Sequence, residues 1–281
     1  MCLQGCTQPS NCMAARGVKT IDYYNEEIGK LYATKPEFFM YSPAFCRCEG
    51  QTYLFSSWVR NETKVRARIF HSILRFIGRV VRDLLYSLLA SPEKIVIEPR
   101  KGVFVFSYFD ERNDNQGTLR EEYFREILDG EPDVRCFYKL VSPGFLKRGP
   151  GYLRLIPRLR KSFKAYAEYS FIDPLMVLKA AYLTFRHFMN FRSLTLDNQC
   201  DAAILELVAS EYRVEVIDGT IYLGFLQQLL FEKLLTHQPK IILSVWENSP
   251  WERILEFAKK KISPDSVNKG FQHTGFSVKL L

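Results

Sequence analysis

The chain is 281 residues long, which at about 150 residues per domain allows no more than roughly two domains. Its 47% hydrophobic and 25% charged content excludes a wholly disordered or collagen-like chain and is enough to bury a core without disulfide staples. Lysine and arginine number 39 against 31 acidic residues, for a net charge of +8, and that excess invites an anionic partner: nucleic acid, anionic lipid or a phosphorylated substrate.

Residues 1–17 read as a disordered lead, followed by a mainly helical region over 18–92 and an α/β domain over 93–281. The lead lacks the apolar run of a signal peptide. No stretch reaches the roughly 18 uncharged apolar residues of a membrane span; the most apolar run, Gly219 to Phe231, is shorter and holds two glutamines. The expectation is a cytoplasmic protein, soluble or peripheral on the inner face of the membrane. The seven cysteines include Cys2, Cys6 and Cys12 as C-x3-C-x5-C and Cys46 and Cys48 as C-x-C. Neither spacing is a zinc knuckle, so these read as reduced thiols and no metal site is assigned. Cys136 and Cys200 have apolar neighbours and read as core. Residues 18–60 show no sustained period.

From Lys64 to Leu89 a helix is predicted. Ile69, Phe70, Ile73, Leu74, Ile77, Val80, Val81, Leu84, Leu85 and Leu88 recur at steps of three and four. Arg68, Arg75, Arg79 and Arg82 share the opposite face. Two readings follow: a surface helix packed on the domain with its arginines in water, or an amphipathic helix lying apolar side down on an anionic membrane.

After Ser91-Pro92 the pattern changes. Lys94–Glu98 and Val103–Phe109 are β-rich runs separated by Pro99 to Gly102. A helical stretch near Leu119–Leu128 and a strand at Val134–Val141 come next. Prolines and glycines between 143 and 151 mark a loop, and a basic stretch runs to Lys164. Helices are predicted at 174–190, opened by Pro174, at Asp201–Tyr212 and at Tyr222–Leu235. Lys240–Trp246 reads as a buried strand, Pro250 opens a helix to Lys261, and Val267–Gln272 is a final strand. Strands alternating with helices predict βαβ units and a Rossmann-like parallel sheet flanked by helices. In such sheets ligands bind beyond the carboxyl ends of the strands, which directs attention to the residues after Phe109, Val141, Trp246 and Gln272.

Three segments there carry chemistry. Glu247-Asn248-Ser249-Pro250-Trp251-Glu252 leaves a strand and opens a helix; Asn248 or Ser249 suits the cap, the helix start suits an anion, and Glu247 suits a general base or a sugar-hydroxyl acceptor. The same residues also read as a well-capped helix with Trp251 packed on the sheet and Glu252 favourable in the first turn. Gly270-Phe271-Gln272-His273-Thr274-Gly275 places a histidine at a strand exit, where it titrates near neutrality or bonds a phosphate; His71, His187 and His237 lie in helical patterns without metal spacing. Ser107-Tyr108-Phe109-Asp110 ends the first core strand, with Tyr108 and Asp110 within reach of a ligand or simply forming a polar turn. There is no HExxH, P-loop, G-x-G-x-x-G or G-x-S-x-G, which disfavours zincins, P-loop NTPases, dinucleotide dehydrogenases and α/β-hydrolases.

Phe106-Ser107-Tyr108-Phe109, then Glu247-Asn248 with Pro250-Trp251-Glu252, then Phe271-Gln272-His273-Thr274, form an ordered set. It resembles the surface-carbohydrate biosynthesis proteins (capsule, O-antigen or S-layer glycan) with a GT-B-like glycosyltransferase fold, over about residues 95–277. The resemblance implies sugar transfer from a nucleotide-activated donor, a substrate rather than a cofactor, to a glycan or lipid-linked acceptor, with no protein-bound metal. It implies catalytic or acceptor-orienting work for Glu247 or His273, and substrate contacts at Tyr108, Asp110, Asn248, Trp251, Glu252, Gln272 and Thr274. GT-B enzymes have two Rossmann-like halves, the second carrying most nucleotide-sugar contacts. The chain stops eight residues after His273, so the expectation is the acceptor-side half alone, the other being lost by truncation or supplied in trans. The rival expectation is a non-catalytic membrane-surface or partner-binding α/β module.

The charge is concentrated. Lys139, Lys147, Arg148, Arg154, Arg158, Arg160, Lys161 and Lys164 have no acidic residue among them, so this stretch equals the net charge of the chain. Interleaved Leu, Ile, Tyr and Phe suit contact with an anionic membrane or lipid phosphate through Lys147, Arg148, Arg154, Arg158, Arg160, Lys161 and Lys164. A solvated face is the other reading. Nucleic-acid binding is disfavoured because no reader motif accompanies the charge.

Overall fold

A computed structural model describes residues 21–34, 40–42, 69–89, 102–109, 114–115, 118–119, 124, 134–140, 165–192, 201–246 and 250–272. In chain order the elements are α1 (Ile21–Thr34), α2 (Ile69–Leu89), β1 (Val103–Phe109), β2 (Asp114–Asn115), β3 (Thr118–Leu119), β4 (Val134–Leu140), β5 (Ala165–Ala167), α3 (Pro174–Arg192), α4 (Ala202–Ile217), α5 (Thr220–Leu235), β6 (Ile241–Trp246), α6 (Pro250–Ile262) and β7 (Val267–Gln272). A single 3-10 turn, Glu168–Ser170, follows β5. The expected lead at 1–17, the run Lys94–Glu98, Cys200 and the basic residues 147–164 lie outside the described residues.

Five strands form one all-parallel sheet in the order β5-β4-β1-β6-β7. The chain steps from β1 to β4 to β5 on one side, then returns through α3, α4 and α5 to place β6 on the other side of β1. This is the Rossmann-like order 3-2-1-4-5, and it puts a topological switch point between β1 and β6. Successive residues Phe104 and Val105 are both fully buried, so the sheet is covered on both faces, as continuous apolar parallel strands require.

One face is an aromatic row. Phe106 stacks on Phe137 at 5.2 Å between centroids, and Phe137 on Tyr166 at 5.8 Å. Phe231 of α5 meets Phe106 edge-on at 5.1 Å, and α6 packs on α5 through Trp251. On the other face Phe124, at a bend between β1 and β4, lies 5.8 Å from Phe271 of β7, the register partner of the fully buried Val245.

Three helix starts follow from side-chain chemistry. Asp201 caps α4 by accepting from the Ala203 and Ile204 amides. Asp173 accepts from Met176 N at the start of α3. Asp218 accepts from Thr220 N at the start of α5, and Gly219 between them has φ +82°, a left-handed conformation open to glycine. The strands β1 and β7 fall on their predicted residues and β4, β6 and α6 within one residue.

Several points add to or differ from the sequence reading. Most of the predicted helix near Leu119–Leu128 lies outside the described residues; at its start Thr118–Leu119 pairs antiparallel with Asp114–Asn115. Helix α1 falls in the unassigned stretch 18–60, and its Tyr24, Ile28 and Leu31 join the same core as Phe104 and Val245. The edge strand β5 was not predicted because only Ala-Tyr-Ala follows the basic stretch.

The main revision concerns α2. The packed reading put its apolar face inward and its arginines in water; the helix does pack on the domain, but Arg79 and Arg82 are half-buried while Arg75 stays exposed, and much of the apolar stripe faces outward. Ser72, Asp83, Tyr86 and Ser87 are buried, with Phe76, Arg79, Val80, Arg82 and Leu84 half-buried beside them. Ile73, Leu74, Ile77, Val81, Leu85 and Leu88 face outward. The physical reason is Asp83, fully buried, whose Oδ1 accepts from Tyr169 OH at 2.6 Å and whose Oδ2 accepts from Tyr222 OH at 3.0 Å. Its own neighbour Arg82 donates Nε at 2.8 Å. A carboxylate with this many partners belongs inside, and it turns the helix.

Candidate functional site at the carboxyl edge of the sheet

The register sets the site. Phe106 of β1 aligns with Ser244 of β6, and Ser244 with Gly270 of β7. The β1–β6 pairing reaches Phe106 and Ser244, and β6 and β7 stay paired to Trp246 and Gln272. The three segments singled out in the sequence therefore leave three neighbouring parallel strands at one edge of the sheet, beside the switch point.

The chain runs on from these strand ends into Asp110, into Glu247 and Asn248, and into His273 and Thr274. Those residues, Lys147, Arg148, Arg154, Arg158, Arg160, Lys161 and Lys164, and the side chains of Tyr108 and Gln272, lie outside the described residues. Trp251 and Glu252 are described, and both are interior. Trp251 is 4% exposed, with its ring 6.2 Å from Phe231, so its large apolar surface holds α6 on α5. Glu252 is 6% exposed in the first turn of α6, where the helix N-terminus favours a carboxylate. Both positions are buried among the described residues.

Sequence reasoning missed a second polar cluster, the one around Asp83. Burial first, and the nearby Asp83 second, raise the Tyr169 and Tyr222 hydroxyls far above the ordinary phenol range, so both stay protonated and donate. Tyr169 stands two residues beyond the end of β5, which puts the cluster on the same side of the sheet as the strand ends. The available signal was that Asp83 is the one acidic residue in a helix otherwise apolar and basic.

A third cluster links α1 to α4. Buried Glu27 accepts from Lys30 at 2.6 Å and from the Asp201 amide at 2.6 Å, and Tyr23 donates to Asp201 at 3.2 Å. His187 sits among Tyr41, Tyr212 and Phe225 with centroids 5.3–5.9 Å away, and burial pushes its pKa down to about 4. It is a neutral core imidazole. His237 touches Phe104 near the amino-terminal edge of the sheet, also lowered by burial, far from the strand exits. Among the described residues no group of three or more His, Cys, Asp or Glu side chains converges to hold a metal ion, and no helix is long and apolar enough to cross a membrane.

Fold and switch point together define a class: a Rossmann-like parallel α/β protein, in which the general rule for such sheets puts ligands beyond the carboxyl ends of the strands. Comparison of the chain with protein-family models, with curated proteins and with solved structures found no match.

Proposed function

We propose that the chain is the acceptor-side, Rossmann-like half of a GT-B-like glycosyltransferase of surface polysaccharide biosynthesis, working with a second Rossmann-like unit that carries most of the nucleotide-sugar donor. The observation that supports it is that β1, β6 and β7 are neighbouring parallel strands whose carboxyl ends meet one edge of the sheet, beside the switch point, because the motifs of the resemblance leave from these strand ends. In this reading Glu247 takes the proton of an acceptor hydroxyl as its oxygen attacks the anomeric carbon and the bond to the nucleotide diphosphate breaks. His273 orients the acceptor or bonds a phosphate oxygen. Trp251 is left out of substrate binding because of its burial.

The test is transfer of labelled sugar from a panel of nucleotide sugars to extracted glycolipid acceptors, by the chain together with its donor-side unit. Glu247→Gln is expected to lower transfer by about 10²-fold or more, the range of general-base catalysis, with thermal unfolding unchanged. Transfer at the unsubstituted rate overturns the assignment. No transfer from any donor, with the chain folded, favours the second reading, a non-catalytic membrane-surface or partner-binding module. The outward apolar faces of the helices (α2 above all) speak for that reading.

A further inference from the structure

Two neighbouring helices show their large apolar side chains to the outside. On α2 these are Leu74 at 51%, Ile77 at 51%, Val81 at 49% and Leu85 at 52% exposure, flanked by Ile73 and Leu88. On α3, Leu175, Leu178, Tyr182, Phe185 and Met189 are exposed at alternating steps of three and four, with Leu175 at 74% and Phe185 at 63%. The inward face of α3 is separately satisfied by Met176, Val177, Ala180 and Thr184, all buried. The helices pack against each other, so the two stripes run along adjacent rods, α2 being 21 residues long. Isolated exposed leucines need no explanation, but two full-length stripes on touching helices mark a surface that another phase or partner covers.

Charge selects the occupant. Arg79 and Arg82 are half-buried on the inward side of α2, Arg82 bonding Asp83, so they do not count toward this face. Arg75 is exposed and lies 3.9 Å from Asp218, and Lys179 and Arg186 of α3 are exposed in a helix that has no carboxylate. A second copy docking through this face would bring like charges together, a cost that the apolar contact would have to overcome. A neutral apolar partner would leave the cations unused. We propose that the α2–α3 face lies on an anionic phospholipid bilayer, with the leucines, valine, isoleucines and Phe185 entering the acyl boundary and Arg75, Lys179 and Arg186 at the phosphates. Tyr182 suits the headgroup level, where amphipathic rings settle. The inference stands whether or not the chain transfers sugar.

The experiment is flotation of the full chain with vesicles of phosphatidylcholine alone or with about 30% phosphatidylglycerol. The expected result is partition onto the anionic vesicles, falling as salt rises. Two variants at exposed positions test the face: L74Q/V81Q/L85Q on α2 and L178Q/F185Q on α3. Each is expected to weaken partition by about tenfold or more, from the lost apolar burial, with melting temperature and circular dichroism unchanged; if one variant unfolds, the other decides. Equal partition of wild type and folded variants overturns the proposal, as does equal binding to neutral and anionic vesicles. A concentration-dependent dimer abolished by these variants, without vesicle binding, assigns the face to a second copy and also overturns it. Binding that survives both variants but is lost when Lys147, Arg148, Arg154 and Arg158 are neutralised places the bilayer contact elsewhere in the chain.

Discussion

Tyr222 of α5 donates its hydroxyl to Asp83 of α2 over 3.0 Å, and Tyr169 donates to the same carboxyl group over 2.6 Å. One buried acid thereby fastens an N-terminal helix both to the long crossover before β6 and to the segment leaving β5. Asp83→Ala would leave the half-buried Arg82 guanidinium and two buried hydroxyls without their acceptor. The expected loss is about 3–5 kcal/mol, the range for breaking a buried charged pair from one side. Tyr222→Phe removes one hydrogen bond and is expected to cost about 1–2 kcal/mol. Urea unfolding of both variants checks the order; an Asp83→Ala cost no greater than that of Tyr222→Phe would contradict the anchoring role.

Gly219 and Gly78 make a matched pair. Gly219 has φ +82°, and a Cβ there would stand 2.9 Å from the Phe76 ring and 3.3 Å from its Cα. Gly219→Ala is expected to destabilise by about 2 kcal/mol or more, from the left-handed backbone and the close approach of α2. Gly78, on the outward side of α2, has nothing within 4 Å of a Cβ. Gly78→Ala is expected to stabilise by up to about 1 kcal/mol through helix propensity. Opposite shifts in the denaturation midpoint are the readout.

His187 sets an acid limit. Its pKa is depressed by burial from 6.5 to about 4, so the native state binds a proton less readily than the unfolded chain. Stability from this group is complete above pH 6.5, drains as pH falls toward 4, and changes no further below that. The full span corresponds to about 3 kcal/mol at most. His187→Phe, in a cage already lined by Tyr41, Tyr212 and Phe225, is expected to flatten this part of the stability–pH curve. An unchanged slope between pH 4 and 6.5 in the variant would assign the acid sensitivity to other groups.

Trp251 separates packing from chemistry in the segment after β6. Trp251→Ala should cost about 3–5 kcal/mol through the cavity opened against Phe231, while Trp251→Phe recovers most of it. If Glu247 serves as the general base of the proposed reading, Glu247→Gln should leave stability within about 0.5 kcal/mol while lowering transfer. Thermal melts distinguish the two; a stable Trp251→Ala protein that loses ligand binding would return Trp251 to the cleft.

Much of the sheet was legible. Val103–Phe109 and Val267–Gln272 announce themselves by β-forming residues between turn signals, and the alternation with helices implies parallel strands. The strand exits follow from the general rule for such sheets, which directs attention to the residues after Phe109, Val141, Trp246 and Gln272. The burial of Trp251 and Glu252 was less legible, because a helix opening reads alike whether its first turn faces a ligand or a neighbouring helix. Strand β5 and helix α1 were invisible for a different reason: three residues at a sheet edge carry no period, and α1 is held by distant partners such as Asp201 and its contacts with the core.

By itself the sequence determined which residues share a face and which class of sheet they build, because periodicity and turn chemistry are local. The tertiary structure decided which face of α2 is inside. Periodicity groups Ile73, Ile77, Val81 and Leu85 on one side but does not say what lies opposite. That depends on Asp83 meeting Tyr169 and Tyr222, residues about 90 and 140 positions away in the chain. A buried carboxylate satisfied by two hydroxyls and a guanidinium outweighs the ordinary preference for an apolar face inward, and it leaves the apolar stripe to the outside.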